Sequence, residues 1–200
     1  MTLSAKGTRL NRRGLETRRT LLKVAIRCLA DGSEGVSANL IAREAGVTWG
    51  TVQHQFGDAD GLWAAVLAHI SERSDPLLPP QHAALPDRVG AVVDMLWRAL
   101  DSAGARAIHH LRLALPRDRG ELEAEFPRTA EALAAWDASW NEACERAFDG
   151  LAVDKVKLRR VRALLPGAMR GLHGEQDLST YLDIDDAKRG LSDAVTAYLS

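Results

Sequence analysis

Residues 37–56 read SANLIAREAGVTWGTVQHQF, and the order of small, apolar and polar positions in this stretch decides the fold. Ile41, Ala42, Ala45, Val47 and Val52 are the apolar or small positions, and Gly46 stands between two helical pieces. Ser37 precedes the first piece and Thr48 the second, and each hydroxyl can cap a helix by accepting a free first-turn amide. Ala42 lets two helices cross closely, while Gly46 takes a tight turn where a side chain would be strained. The pattern is that of a helix-turn-helix. Val47 and Val52 are expected to pack the second helix against the first, which turns Thr48, Trp49, Thr51, Gln53, His54 and Gln55 outward. Such a helix fits the major groove, and Thr, Gln and His side chains hydrogen-bond to base edges and phosphates. Gly50, one turn in, costs about 1 kcal/mol against Ala in a helix. That cost is understandable where a DNA backbone or a neighbouring helix comes close. The plainer alternative is a helix-loop-helix whose polar residues are merely solvated.

Outward from this stretch the charge is uneven. The 200 residues carry 26 Lys and Arg against 27 Asp and Glu, a net charge of −1 that gives no argument for a nucleic-acid partner. Residues 1–30, however, hold eight basic residues and one acid, an excess of seven. Lys6, Arg9, Arg12, Arg13, Arg18 and Arg19 precede the first helix or lie in its first turns, where cations oppose the helix dipole. Phosphate contact accounts for them better than helix stability does. The competing reading is a solvated tail. Residues 1–14 are accordingly expected to form a flexible basic arm.

Helical periodicity continues on both sides. Leu15, Leu22, Ala25, Ile26 and Leu29 share a face that Asp31-Gly32 ends, and Asp58 can cap a helix with Leu62, Val66, Leu67 and Ile70 inward. No window shows strand alternation bounded by turn signals, so the chain is expected to be all-α. Pro76, Pro79, Pro80 and Pro86 crowd one segment, which marks a boundary between a head over 15–75 and a body over 76–200. Body helices are expected near 87–102, 105–115, 128–148, 154–173 and 185–199. Pro166 should kink the fourth of these.

With these residues in view, 15–70 resembles the DNA-binding domain of the tetracycline-repressor (TetR) family of bacterial transcriptional regulators. The resemblance rests on TRRTLLKVAIRCLA, then LIAREAGVTWGTVQHQF, then DADGLWAAVLAHI after the Gly57-Asp58 break. The family usually has Tyr where this chain has Gln53 and Lys where it has Ala59, which removes two familiar backbone or base contacts. The resemblance implies a three-helix helix-turn-helix domain followed by a larger helical ligand-binding and dimerisation domain. It also implies a homodimer whose two heads bind the half-sites of a palindromic double-stranded DNA operator. The expected DNA-contacting set is Arg9, Arg12, Arg13, Ser37, Thr48, Trp49, Gly50, Thr51, Gln53, His54 and Gln55.

The body supplies candidates without a signature. Trp97, His109, Phe126, Trp136 and Trp140 are the pocket residues expected to meet a small-molecule effector, with ordinary core packing as the competing account. Adjacent residues on a helix face apart, so at most one of His109 and His110 points inward, which argues against a metal site. Arg112 could reach a carboxylate. The dense basic run Lys155, Lys157, Arg159, Arg160 and Arg162 reads as a solvated segment. The helices near 154–173 and 185–199 are expected to dimerise, because Gly167, Gly171 and Gly174 permit close approach.

Several classes are set aside. Cys28 and Cys144 have no neighbouring Cys or His at ligand spacing, so neither a disulfide framework nor a zinc site is expected. No uncharged stretch is long and apolar enough to span a bilayer, and the basic N-terminus has no secretory apolar core behind it. A cytoplasmic protein with no membrane partner is expected. No nucleophile elbow, phosphate-cradling loop or His-Glu-x-x-His pair is present, so neither enzyme activity nor a cofactor is expected. The reading is a transcriptional regulator, a repressor released from its operator by a small molecule. The alternative is a ligand-independent, dimeric architectural DNA-binding protein.

Overall fold

The computed structural model describes residues 4–5, 7–32, 35–73, 83–176, 178 and 181–200. Among them are ten α-helices and no strand. The first four are α1 (Arg12–Ala30), α2 (Ala38–Glu44), α3 (Trp49–Phe56) and α4 (Ala59–Ser71). The other six are α5 (Leu85–Leu100), α6 (Ala103–Ala114), α7 (Arg119–Glu125), α8 (Pro127–Ala147), α9 (Lys155–Glu175) and α10 (Ile184–Leu199). The five expected body helices appear within a few residues of their expected ends, joined by α7, a short helix that periodicity did not show. Asp118 starts α7 by accepting the amide of Glu121.

The chain divides into two compact units, one from Met1–Ser74 with Ser102–Asp137 and the other from Asp75–Asp101 with Ala138–Ser200. This differs from a division at residue 75. In the first unit Ala107, Ile108 and Leu111 of α6, with Leu115 and Leu133, join one core with Leu21, Ala25 and Leu29 of α1 and with Val52, Leu62 and Val66. An amphipathic α1 has two faces to cover, and α6 covers the one that α2–α4 leave. His110 reinforces this contact. Its Nδ1 lies 2.7 Å from the carbonyl oxygen of Leu29, at the end of α1 where carbonyls lack helical partners.

The second unit packs α5, α9 and α10 around Val89, Val92, Leu165, Met169 and Leu199, with Ala143 and Ala147 of α8. Arg88 is buried here, and among the described residues no carboxylate pairs with it. Its guanidinium donates to the carbonyls of Ala83, Ala147 and Asp149 at 3.2, 3.1 and 2.7 Å, closing the C-terminus of α8 where a cation is favoured. Pro166 lies inside α9 and cannot donate to the carbonyl of Arg162, four residues back. The indole N–H of Trp140 supplies that missing donor at 3.0 Å. Pro86 occupies the first turn of α5, where a missing amide costs nothing; the prolines at 76, 79 and 80 lie outside the described residues. Among the described residues no helix is long and apolar enough to cross a membrane.

Candidate nucleic-acid interface

The helix-turn-helix forms as its capping residues dictate. Ser37 Oγ accepts the amide of Leu40 at 3.2 Å to start α2, and Thr48 Oγ1 accepts that of Thr51 at 3.3 Å to start α3. Gly46 takes φ of +66° in the turn between them, a conformation other residues rarely adopt. Val52 is fully buried beneath α3, while Ile41 and Ala42 of α2 close the core from the other side.

Opposite Val52, Gln53 and His54 are exposed, Thr51 and Trp49 are half-buried, and Thr48 and Gly50 are exposed in the first turn. Trp49 also packs partly against the core. This face carries hydroxyl, amide and imidazole groups and no Lys, Arg, Asp or Glu. Gly50 is not crowded: a Cβ there would come no closer than 3.7 Å to Thr48 Oγ1. Among the described residues nothing requires glycine at that position.

Gln55 corrects one expectation. It is 4% exposed and turned inward, donating through Nε2 to the carbonyl of Gly14 at 3.1 Å. One residue before Phe56, its position on α3 faces the first turn of α1 rather than the outer surface. Its Oε1 is buried and has no hydrogen-bond partner among the described residues. Arg18 makes the complementary link. Its guanidinium donates to the carbonyl of Gln55 at 2.7 Å and lies 4.3 Å from the ring centre of Phe56. Burial lowers the Arg18 pKa, and the cation is spent on closing the C-terminus of α3 rather than on phosphate.

Within the stretch expected as a basic arm, a helix begins. α1 begins at Arg12, because Asn11 caps it by accepting the amide of Gly14 at 2.9 Å and Leu10 is buried just outside the cap. Ala5 donates to the carbonyl of His54 at 3.2 Å, which fastens the preceding segment to the end of α3. Arg9, Arg12, Arg13 and Arg19 remain exposed, and Lys6 lies outside the described residues. Arg9, Arg12 and Arg19 line an open groove of about 630 Å³ beside Leu10 and Leu15. Arg12 pairs with Glu16 at 3.1 Å in full solvent, an exposed pair of little energetic weight.

The start of α4 holds a cluster that sequence spacing did not reveal. Asp60, nearly buried, accepts the amides of Arg128 and Thr129 at 3.1 and 2.8 Å and Nε of Arg128 at 3.0 Å. Burial alone pushes its carboxyl up, but these bonds from Thr129 and Arg128 outweigh it and hold the carboxyl below the ordinary range. The guanidinium of Arg128 also reaches Asp58 and, at 3.4 Å, the carbonyl of Phe56. The partners lie about seventy residues apart in sequence.

The five expected pocket residues fall in two different units, His109, Phe126 and Trp136 in the first and Trp97 and Trp140 in the second. His109 is exposed, and it is His110 that faces inward. Phe126 and Trp136 pack against the core of the first unit, whereas Trp97 and Trp140 pack against that of the second. Trp136 and Trp140 share a helical face of α8, but the units divide between them. Trp97 lies 5.2 Å from the ring centre of His173 and 4.7 Å from Nζ of Lys188. His173 in turn meets Asp101 at 2.9 Å. Arg112 pairs with Asp137 at 2.6 Å. Cys28 and Cys144 are free and buried, and burial pushes the Cys144 thiol up to about 12.

No protein-family profile matches the chain, and neither does any curated protein sequence. Solved structures do match. NalD, the secondary repressor of the MexAB-OprM multidrug efflux pump in Pseudomonas aeruginosa, is 20% identical, with 92% of this chain and 98% of that one covered at a TM-score of 0.65. The multidrug binding protein EbrR, in complex with imidazole, is 23% identical over 99% of this chain and 98% of its own, at 0.62. A TetR-family member from Streptomyces coelicolor A3 is 22% identical over 92% and 99%, at 0.61. The chain has the fold of the TetR-family transcriptional regulators, with a helix-turn-helix followed by further helices.

Proposed function

We propose that the chain is a cytoplasmic, homodimeric transcriptional regulator that represses from a palindromic operator and is released by a small molecule. The observation that carries this reading is the uncharged polar face of α3, held rigid by α1 and flanked by exposed arginines. Thr48, Trp49, Gly50, Thr51, Gln53 and His54 are assigned to the major groove, with Ser37 at the start of α2 against the backbone. Arg9, Arg12, Arg13 and Arg19 supply phosphate attraction. Base reading and electrostatic positioning thus fall on separate segments.

Dimerisation is assigned to α9 and α10. Leu164 is 63% exposed, and Gly167, Gly171 and Gly174 follow it at helical spacing; a Cβ at Gly167 would meet Arg170 at 4.0 Å, and at Gly171 and Gly174 it would meet nothing within 4 Å among the described residues. A twofold four-helix bundle would bury Leu164 and Tyr198 and make use of the small residues. The effector is assigned to the second unit around Trp97, since Trp140 already gives its indole N–H to Arg162. EbrR has been seen with imidazole and with proflavin, which supports an aromatic effector for this chain. Release follows when the effector prefers a state whose heads mismatch the groove spacing of about 34 Å.

A mobility-shift titration with the DNA flanking the protein's own gene tests the reading. A sharp, salt-dependent complex that outcompetes random duplex is expected. Absence of any sequence-preferring complex at low salt would overturn it.

A further inference from the structure

We propose that Asp60, Arg128 and Thr129 form a clamp through which α8 holds the end of the recognition helix, and that displacement of α8 reaches DNA by this route. The proposal rests on the regulator reading above and adds its internal path.

The clamp is a mutual one. The first amides of any helix lack partners within it, and a carboxylate there is favoured by the helix dipole. In α8 those amides, of Arg128 and Thr129, are capped by Asp60 of α4 at 3.1 and 2.8 Å. Thr129, fully buried, returns the bond by donating its hydroxyl to the Asp60 carbonyl at 3.1 Å. Helix α8 therefore depends on α4 for its cap, and α4 depends on α8 to satisfy a buried carboxylate. Neither end can move alone without leaving a buried polar group unpaired.

Arg128 extends the clamp to α3. Its guanidinium donates to the carbonyl of Phe56, the last residue of the recognition helix, and to Asp58, the capping residue of α4. Gly61 makes room for this reach. A Cβ at that position would stand 2.7 Å from Nη1 of Arg128 and 2.0 Å from the Phe56 carbonyl oxygen. The glycine thus fits a close approach of backbone and guanidinium. Farther along, α8 places Leu133 in the core of the first unit and Ala143 and Ala147 in that of the second. Arg128 is a positioning residue, acting on bases only through Phe56 and the α3 terminus.

Linkage is reciprocal: if α8 governs DNA affinity, DNA must act on α8. The test is hydrogen exchange of the full chain, free and bound to a duplex it has selected from a randomised pool. Amides of residues 129–136 should slow several-fold on DNA binding in the wild-type protein. Arg128→Met, which keeps the Asp60–Thr129 bonds, should lose that DNA-dependent slowing while α1–α3 remain protected, and Arg128→Lys should retain part of it. A DNA complex that forms with unchanged exchange in wild-type α8 overturns the clamp and leaves the regulator reading standing. So does Arg128→Met with a response equal to the wild type. Should that variant fail to fold, the wild-type comparison alone decides. Failure to select any duplex overturns both readings.

Discussion

Nε2 of Gln55 donates to the carbonyl of Gly14 at 3.1 Å, across forty-one residues of sequence, and so fixes the rotation of α3 against α1. A polar side chain at the edge of the polar face of α3 is here a tether. Gln55→Ala should therefore lower stability by about 1–3 kcal/mol, because the Gly14 carbonyl loses its buried donor. Chemical denaturation measures this. An altered preference at one base pair with unchanged stability would instead return Gln55 to the DNA-contacting set.

Gly50→Ala separates packing from DNA approach. The site is open within the chain, so the variant should be as stable as the wild type or up to about 1 kcal/mol more stable. DNA affinity should nevertheless fall, about tenfold or more, because the methyl group would stand where the backbone of the duplex comes close. Equal affinity would show that the glycine does not face DNA.

Trp140 and Pro166 should be coupled. Trp140→Phe leaves the Arg162 carbonyl without the indole donor and should cost about 1–3 kcal/mol. Pro166→Ala restores a helical amide to the same carbonyl, so the tryptophan substitution should cost less in that background. A double-mutant cycle read by urea denaturation checks it.

Asp60 gives a pH dependence of known sign. Its carboxyl is held below the ordinary value in the folded protein, so its stabilisation is complete above about pH 4 to 5 and is lost as pH falls through the folded value. Asp60→Asn should flatten that part of the acid-denaturation profile. A profile identical to the wild type would mean that the hydrogen bonds from Arg128 and Thr129 do not favour the ionised form.

Much of this was legible because it is local. Ser37, Thr48 and Asp58 cap the helices that follow them, and Gly46 takes the positive φ its place demands. What was not legible depends on partners remote in sequence. Helical spacing places Gln55 on a polar face but cannot show that Gly14 waits opposite. Arg18 reads in sequence as one more phosphate ligand, but its guanidinium lies over Phe56. The carboxylate of Asp60 and the amides of residues 128 and 129 meet only when α8 returns to α4. The arginine run at the N-terminus resembled a loose arm, yet Asn11 caps a helix within it and Leu10 is buried beside that cap. Trp136 and Trp140 share a spacing but not a core, since a single helix serves both units.

The two kinds of contact assigned to DNA predict different salt behaviour. Arg13→Ala should weaken binding to all sequences alike and reduce the slope of log affinity against log salt by about one. Substitutions on α3 should leave that slope nearly unchanged.

Quantitative binding of wild type, Thr51→Ala, Gln53→Ala and His54→Ala to a selected duplex and its single-base variants tests the central claim most directly. The account predicts a wild-type preference over random duplex of about a thousandfold or more. It also predicts that each α3 variant relaxes discrimination at one or two base pairs, by about 1–3 kcal/mol. Uniform weakening across every duplex, or no preference in the wild-type protein, would contradict α3 as the element that reads sequence.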